Sequence, residues 1–400
     1  MKENTIKLEK VIIDIAAGPF GSNLKVSCFV DDGFPIIDGA NLKGFKVTDN
    51  ITKFVTEEKA NSLYRSIAHR NDVVVTISGT LGQIAYIPED SMYKAYLCSQ
   101  RQFRVTFDAE KVFVPYIVYY FHTYEGQHKI LSFANQTGVP ALSQPLKNFK
   151  NIEVKLPAIE VQKKIASVAL SLDGKIELNN RINENLESQA QAIFKSWFVD
   201  FEPFGGVMPE DWRTGSLSEI CGYSKDKVNI EDLTLDTYYS TENMQPNRQG
   251  AVQATALPTI KQTIACKKGD VLISNIRPYF KKIIYCFADC GCSTDVLCFV
   301  PNKSEYSAFL YCALYSDKFF DYMVAGSKGT KMPRGDKQQI MIYPICIPST
   351  EYVEQFSKIV APMLETVYTN RLEANDLAIL RDTLLPKLMK GEIDVSEVKI

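Results

Sequence analysis

Apolar residues recur at helical spacing over two very long stretches of this chain. In the first, Val161, Ile165, Val168, Leu172 and Ile176 are followed by Ile182, Leu186, Ala190, Ile193 and Trp197. In the second, Phe356, Val360, Met363 and Val367 open a stripe that Leu377, Leu380, Leu384 and Leu388 close. The pattern predicts helices over 158–198 and 349–388, each a rod of roughly 60 Å. A lone helix of that length cannot bury its own stripe, so the two are predicted to pair antiparallel. Gly174 and Pro362 are predicted kink points that could divide them.

Between the rods the pattern changes to short β-branched runs bounded by turns, and it does so twice. Asn71-Asp72-Val73-Val74-Val75-Thr76-Ile77 resembles Gly269-Asp270-Val271-Leu272-Ile273-Ser274-Asn275. Gln136-Thr137-Gly138 matches Ser327-Lys328-Gly329, and strands ending at Pro157 and Pro348 follow; both pairs of markers are 191 residues apart. Asn180-Arg181 aligns with Asn370-Arg371 one residue out of phase. The chain therefore reads as an α+β internal repeat with pseudo-twofold character: two β-rich α/β domains separated by two long antiparallel coiled-coil helices. The expected divisions are domain 1 over 1–157, the first helix over 158–200, a Pro/Gly linker and domain 2 over 201–348, and the second helix and tail over 349–400.

Composition removes several classes. An apolar fraction of 46% with 23% charged residues is globular, and a formal charge of −2 means any basic surface must be local. No apolar run is long enough to span a membrane and the start is polar, so a cytoplasmic protein is expected. The cysteines Cys286, Cys290, Cys292 and Cys298 crowd together without any C-x-x-C pair, and read as buried free thiols in adjoining strands rather than a metal site. His69, His122 and His128 are isolated. There is no phosphate loop, dinucleotide fingerprint, nucleophile elbow, zinc-protease helix or Pro-Pro-type methylation loop, and Glu153-Val154-Lys155 lacks the upstream acid of a nuclease. No catalytic residues and no metal are expected in the chain.

Polar and basic residues gather on loops at equivalent points of the two repeats. Residues 266–282 carry a local charge of +4, with Asn275, Arg277, Tyr279 and Lys281 offering amide, guanidinium, aromatic and ammonium groups together. A later loop adds Lys328, Lys331 and Arg334. The first repeat offers Thr80, Gln100, Arg101, Gln136 and Thr137. Such groups suit phosphate contact, base-edge hydrogen bonding and stacking, although lysines on turns are also ordinary solvated surface.

The helical segments Ile176-Glu177-Leu178-Asn179-Asn180-Arg181-Ile182-Asn183-Glu184-Asn185-Leu186, Ile193–Phe201 and Leu384–Ile393, with the duplicated plan, resemble the specificity subunits of type I restriction–modification systems. The family's usual Glu-Gln after the proline is replaced here by Glu160-Val161-Gln162 and Glu351-Tyr352-Val353. The resemblance implies two target-recognition domains that read a bipartite duplex DNA site, with the helices as spacer. It implies two methylation subunits and restriction/translocase subunits as partners, docked on surface such as Asn180, Arg181, Trp197, Phe198, Asn370 and Arg371. S-adenosylmethionine, ATP and Mg would belong to those partners, with no cofactor in this chain. A modification-only assembly with the same architecture, or a protein-interaction scaffold, would share the pattern.

Overall fold

A computed structural model describes residues 4–135 and 138–398. It divides into two compact units, residues 4–176 with 375–398 and residues 177–374. The dividing points fall inside two uninterrupted helices, Ile159–Phe198 and Thr350–Met389, which therefore contribute to both units. Neither Gly174 nor Pro362 breaks its helix.

Both units are built on one topology. In unit 1 a four-stranded sheet has the order Ile12–Ala17, Gln102–Phe107, Val73–Thr76, Ile84–Tyr86. In unit 2 the order is Cys221–Tyr223, Val296–Pro301, Val271–Ser274, Ile283–Tyr285. Val73–Thr76 and Val271–Ser274 are buried at every position, which is why they read as unbroken apolar runs rather than alternating ones. The Asp-containing turns that enter them are alike: Asp72 Oδ2 accepts from His69 N at 2.8 Å, and Asp270 Oδ2 from Lys267 N at 2.7 Å.

Each sheet is covered by a pair of short helices, Val114–His122 and Tyr124–Leu131 in unit 1, Tyr306–Tyr315 and Asp317–Ala325 in unit 2. Thr123 and Ser316 cap the second helix of each pair by accepting from Gly126 N and Phe319 N. A second sheet flanks each core, five-stranded around Ala95–Cys98 and four-stranded around Cys290–Cys292. The clustered cysteines are free and buried there: Cys266, Cys286, Cys290, Cys292 and Cys298 pack with Met244, Leu272 and Val296.

The long helices run antiparallel within each unit. In unit 1, Ile165, Ala166 and Ala169 pack with Leu385 and Leu388, and Arg381 pairs with Asp173 at 2.5 Å. In unit 2, Asn179 Nδ2 donates to Glu373 at 2.7 Å, Asn370 Nδ2 to Asn183 Oδ1 at 2.9 Å, and Arg371 to Glu187 at 2.8 Å. Further along, Phe194 and Phe198 pack on Phe356. The seam is thus polar where the sequence pattern predicts an apolar stripe: Ile182 and Leu380 face solvent at 37% and 46% exposure, while Asn179 and Asn183 are buried.

Candidate nucleic-acid interface

In unit 1 the strand ends meet at an open cleft of about 600 Å³. Thr80, Gln100 and Arg101, three of the candidates from the sequence, line it, and all three are exposed. Gln136 and Thr137 lie outside the described residues. The cleft floor was not singled out by sequence reasoning. Gln83 reaches across to donate to Gly39 O at 2.9 Å, and Lys53 holds Asp38 at 2.6 Å, keeping that carboxyl below its ordinary range against the opposing cost of burial. Asn41, 4% exposed, closes the adjoining loop by accepting from Asp38 N and donating to Thr48 O and Asn50 O.

Unit 2 repeats this frame with other side chains. Asn243 accepts from Ser240 N at 2.7 Å and donates to Tyr238 O and Val252 O, standing where Asn41 stands. Lys282 takes the place of Gln83: its Nζ donates to Thr241 O at 2.6 Å, and burial lowers its pKa. One backbone bond ties the two loops of each unit together, Gly79 N to Pro140 O at 2.9 Å and Arg277 N to Pro333 O at 2.8 Å. A second joins them to the next strand, Ile77 N to Arg101 O and Asn275 N to Asp295 O. The Asp38-x-x-Asn41 and Ser240-x-x-Asn243 spacings were the available signal for this frame.

The candidates of unit 2 come together but are not equally free. Lys281 is engaged by Asp317 at 2.6 Å, and the same carboxylate takes Arg248 at 2.5 Å. Hydrogen bonds from Arg248 and then Lys281 hold the Asp317 pKa down to about 2. Lys328 pairs with Asp336 at 2.6 Å and Arg334 with Asp295 at 3.0 Å, so two further cations of the expected patch are partly neutralised. Arg277 is half-buried, with Nη2 on Lys331 O at 3.4 Å and Nε lacking a partner among the described residues. Asn275 is 6% exposed and its Oδ1 also lacks one. Lys331 and Tyr279 are exposed. Asn275 and Arg277 thus each keep one buried polar atom without a partner, on a loop bordered by the exposed Lys331 and Tyr279, whose ammonium and phenol suit phosphate contact and stacking.

A family model for the type I restriction modification DNA specificity domain matches residues 27–188 and again 209–378. The chain belongs to that family. It is similar to the type I restriction enzyme MjaIX specificity subunit of Methanocaldococcus jannaschii, 24% identical over 99% of this chain and 95% of that protein. The HindI specificity subunit of Haemophilus influenzae is 25% identical over 61% of this chain and 69% of its own. The S subunit of a type I restriction–modification system from M. genitalium shares the fold, with a TM-score of 0.62 at 17% identity over 97% of this chain and 96% of that one. The matched domain occurs twice, on the two loop-bearing units, which makes this chain a DNA sequence-recognition subunit.

In this specificity subunit the expected partner residues separate into two groups. Asn180 and Arg181 are exposed on the first long helix. Asn370 and Arg371 are committed to the seam through Asn183 and Glu187, and Arg371 also donates to Arg248 O at 3.0 Å. Phe198 is a correction: at 3% exposure it is core, packed on Trp212, Phe309 and Phe356, so it presents no surface to a partner. Trp197 is half-buried against the same cluster. The apolar residues that the long helices do expose in unit 2 are Leu178, Ile182, Ile359 and Leu372, none of them predicted. Among the described residues no helix is long and apolar enough to cross a membrane.

Proposed function

We propose that the two units read the two halves of a bipartite duplex site, unit 1 through Thr80, Gln100 and Arg101, unit 2 through Asn275, Arg277, Tyr279, Lys331 and Arg334. The observation that carries this is the repeated frame of backbone bonds, which presents different side chains at the same place in each unit. Gln136 and Thr137 are further candidates from the sequence, and Lys281 and Lys328 contact phosphate by exchanging their carboxylate partners Asp317 and Asp336 for it. The chain itself performs no chemistry. Methylation subunits dock on the exposed helix surface around Asn180, Arg181, Leu178 and Ile182, with restriction/translocase subunits beyond them, in the cytoplasm. S-adenosylmethionine, ATP and Mg act in those partners.

The test is methylation mapping in cells carrying this chain with a methylation subunit. A bipartite methylated sequence is expected. Arg101→Ala should relax one half of it and Arg277→Ala the other, each at a cost of about 1–3 kcal/mol in binding if the guanidinium meets a guanine edge. Identical loss at both halves from either variant, or no sequence preference at all, would remove the assignment.

A further inference from the structure

The loop 277–281 of unit 2 has a feature that edge reading does not need. Tyr279 and Phe280 stand side by side at its tip, ring centroids 4.8 Å apart, 49% and 38% exposed. Scattered exposed apolar residues are ordinary, but these two are held in place. Arg277 and Lys281, on either side, both have left-handed backbone at φ 51°, a conformation non-glycine residues keep only when their surroundings impose it. The surroundings do so. Phe280 N donates to Arg277 O at 2.9 Å and Lys281 N to Pro278 O at 2.9 Å; Asn247 N donates to Phe280 O at 2.8 Å and Arg248 N to Lys281 O at 3.0 Å. From Arg248 the tie continues to the long helices, through Arg371 to Glu187. A solvated surface loop has no use for two rings fixed at such conformational cost.

We infer that Tyr279 and Phe280 form a wedge that enters a base step of the half-site read by unit 2 and stacks on the separated bases. The inference rests on the DNA-reading function proposed above and specifies how that site engages its duplex. Charge favours this occupant over an apolar protein surface. Lys282 Nζ lies 5.9 Å from the Phe280 ring centroid, Arg277 flanks the rings, and the segment 275–282 contains no acidic residue, while Asp317, which meets Lys281, is shared with Arg248. Asn275 Oδ1 and Arg277 Nε are buried without partners at the foot of the loop, so a rearrangement of the loop around a base step costs neither atom a hydrogen bond. Unit 1 has the shorter turn Thr80-Leu81-Gly82 in the corresponding connection and no ring there.

The experiment uses the full chain assembled with its methylation subunits and a target duplex selected from a randomised pool, with 2-aminopurine placed at successive adenine positions. Binding should raise the fluorescence severalfold at one step of the half-site assigned to unit 2. In the double variant Tyr279→Ala/Phe280→Ala that rise should disappear and affinity should fall roughly tenfold, while probes in the other half-site respond as before. Both rings are exposed, so equal thermal unfolding of variant and parent is the accompanying control. Unchanged fluorescence and affinity in the double variant, with Arg277→Ala still relaxing selectivity, would refute the wedge and leave the reading function intact. Absence of any sequence-selective duplex binding by the parent would overturn both.

Discussion

The ion pair between Asp173 and Arg381 in unit 1 supplies the sharpest stability prediction. Both side chains are largely withdrawn from water, at 9% and 14% exposure, and their N···O distance is 2.5 Å. The Tyr119 hydroxyl donates to the same carboxylate, and the guanidinium lies 4.6 Å from the Phe45 ring centroid while also meeting Asp382. Replacing Arg381 by Leu keeps the aliphatic volume but leaves Asp173 with Tyr119 alone. Removing one partner of a buried pair costs about 3–5 kcal/mol. The surviving tyrosine bond argues for the lower end, and the lost cation–π contact adds roughly 0.5–1 kcal/mol, so about 4 kcal/mol is expected. Asp173→Asn retains an acceptor for Tyr119 without the charge, so the double variant Asp173→Asn/Arg381→Leu should recover at least about 2 kcal/mol of that loss. Because the chain divides into two units, the measurement should be local: hydrogen exchange of the amides around 165–173 and 381–388, with urea unfolding as the global check. A loss below about 1 kcal/mol for Arg381→Leu, or simple additivity in the double variant, would show that the pair is a solvated contact and not part of what joins the helices.

Three further outcomes follow from the geometry. Asp317→Asn should free Lys281 and Arg248, costing no more than about 1 kcal/mol because Asp317 is 65% exposed, and should steepen the salt dependence of DNA binding by about one unit as Lys281 becomes available to phosphate; an unchanged slope would contradict this. Burial raises the pKa of Asp270, so the folded state holds that proton more tightly than the unfolded chain and stability should fall as pH rises from about 4 through the raised value; Asp270→Asn should flatten this part of a urea-unfolding profile between pH 4 and 7, and an identical profile would show that the group is solvated. Gly18→Ala would place a Cβ 1.8 Å from Ser99 O, so it should displace the turn bearing Gln100 and Arg101 and weaken selectivity at the half-site of unit 1 while leaving the other intact, as measured by competition with single-base variants.

The sequence made the long helices legible because an apolar stripe sustained for some forty residues has no other explanation, and the structure extends them over Ile159–Phe198 and Thr350–Met389. The duplication was legible because Pro157 and Pro348 end equivalent strands. What failed did so for identifiable reasons. The seam includes Asn179, Asn183 and Asn370, whose amides pair across it, and an apolar count assigns such positions to the outside. Phe198 was taken for surface because a helix end looks free until the Trp212 strand entry and Phe309 are folded over it. Local charge counting gave 266–282 a net +4, but Asp317 lies 36 residues beyond Lys281 and returns to neutralise it. The frame of the reading loops escaped entirely, since most of its bonds are made by main-chain atoms that every sequence possesses.

That last property has a consequence for how such a protein can change. A scaffold fastened through Gly79 N and Pro140 O in one unit, and through Arg277 N and Pro333 O in the other, demands of its occupant a left-handed backbone, φ 97° at Gly79 and 51° at Arg277, and little of the side chain displayed there. Glycine and arginine occupy the same socket, as do Gln83 and Lys282. New reading surfaces can therefore arise by exchanging a few rim residues without re-solving the folding problem, and a unit can drift in what it selects while its partner unit stays fixed.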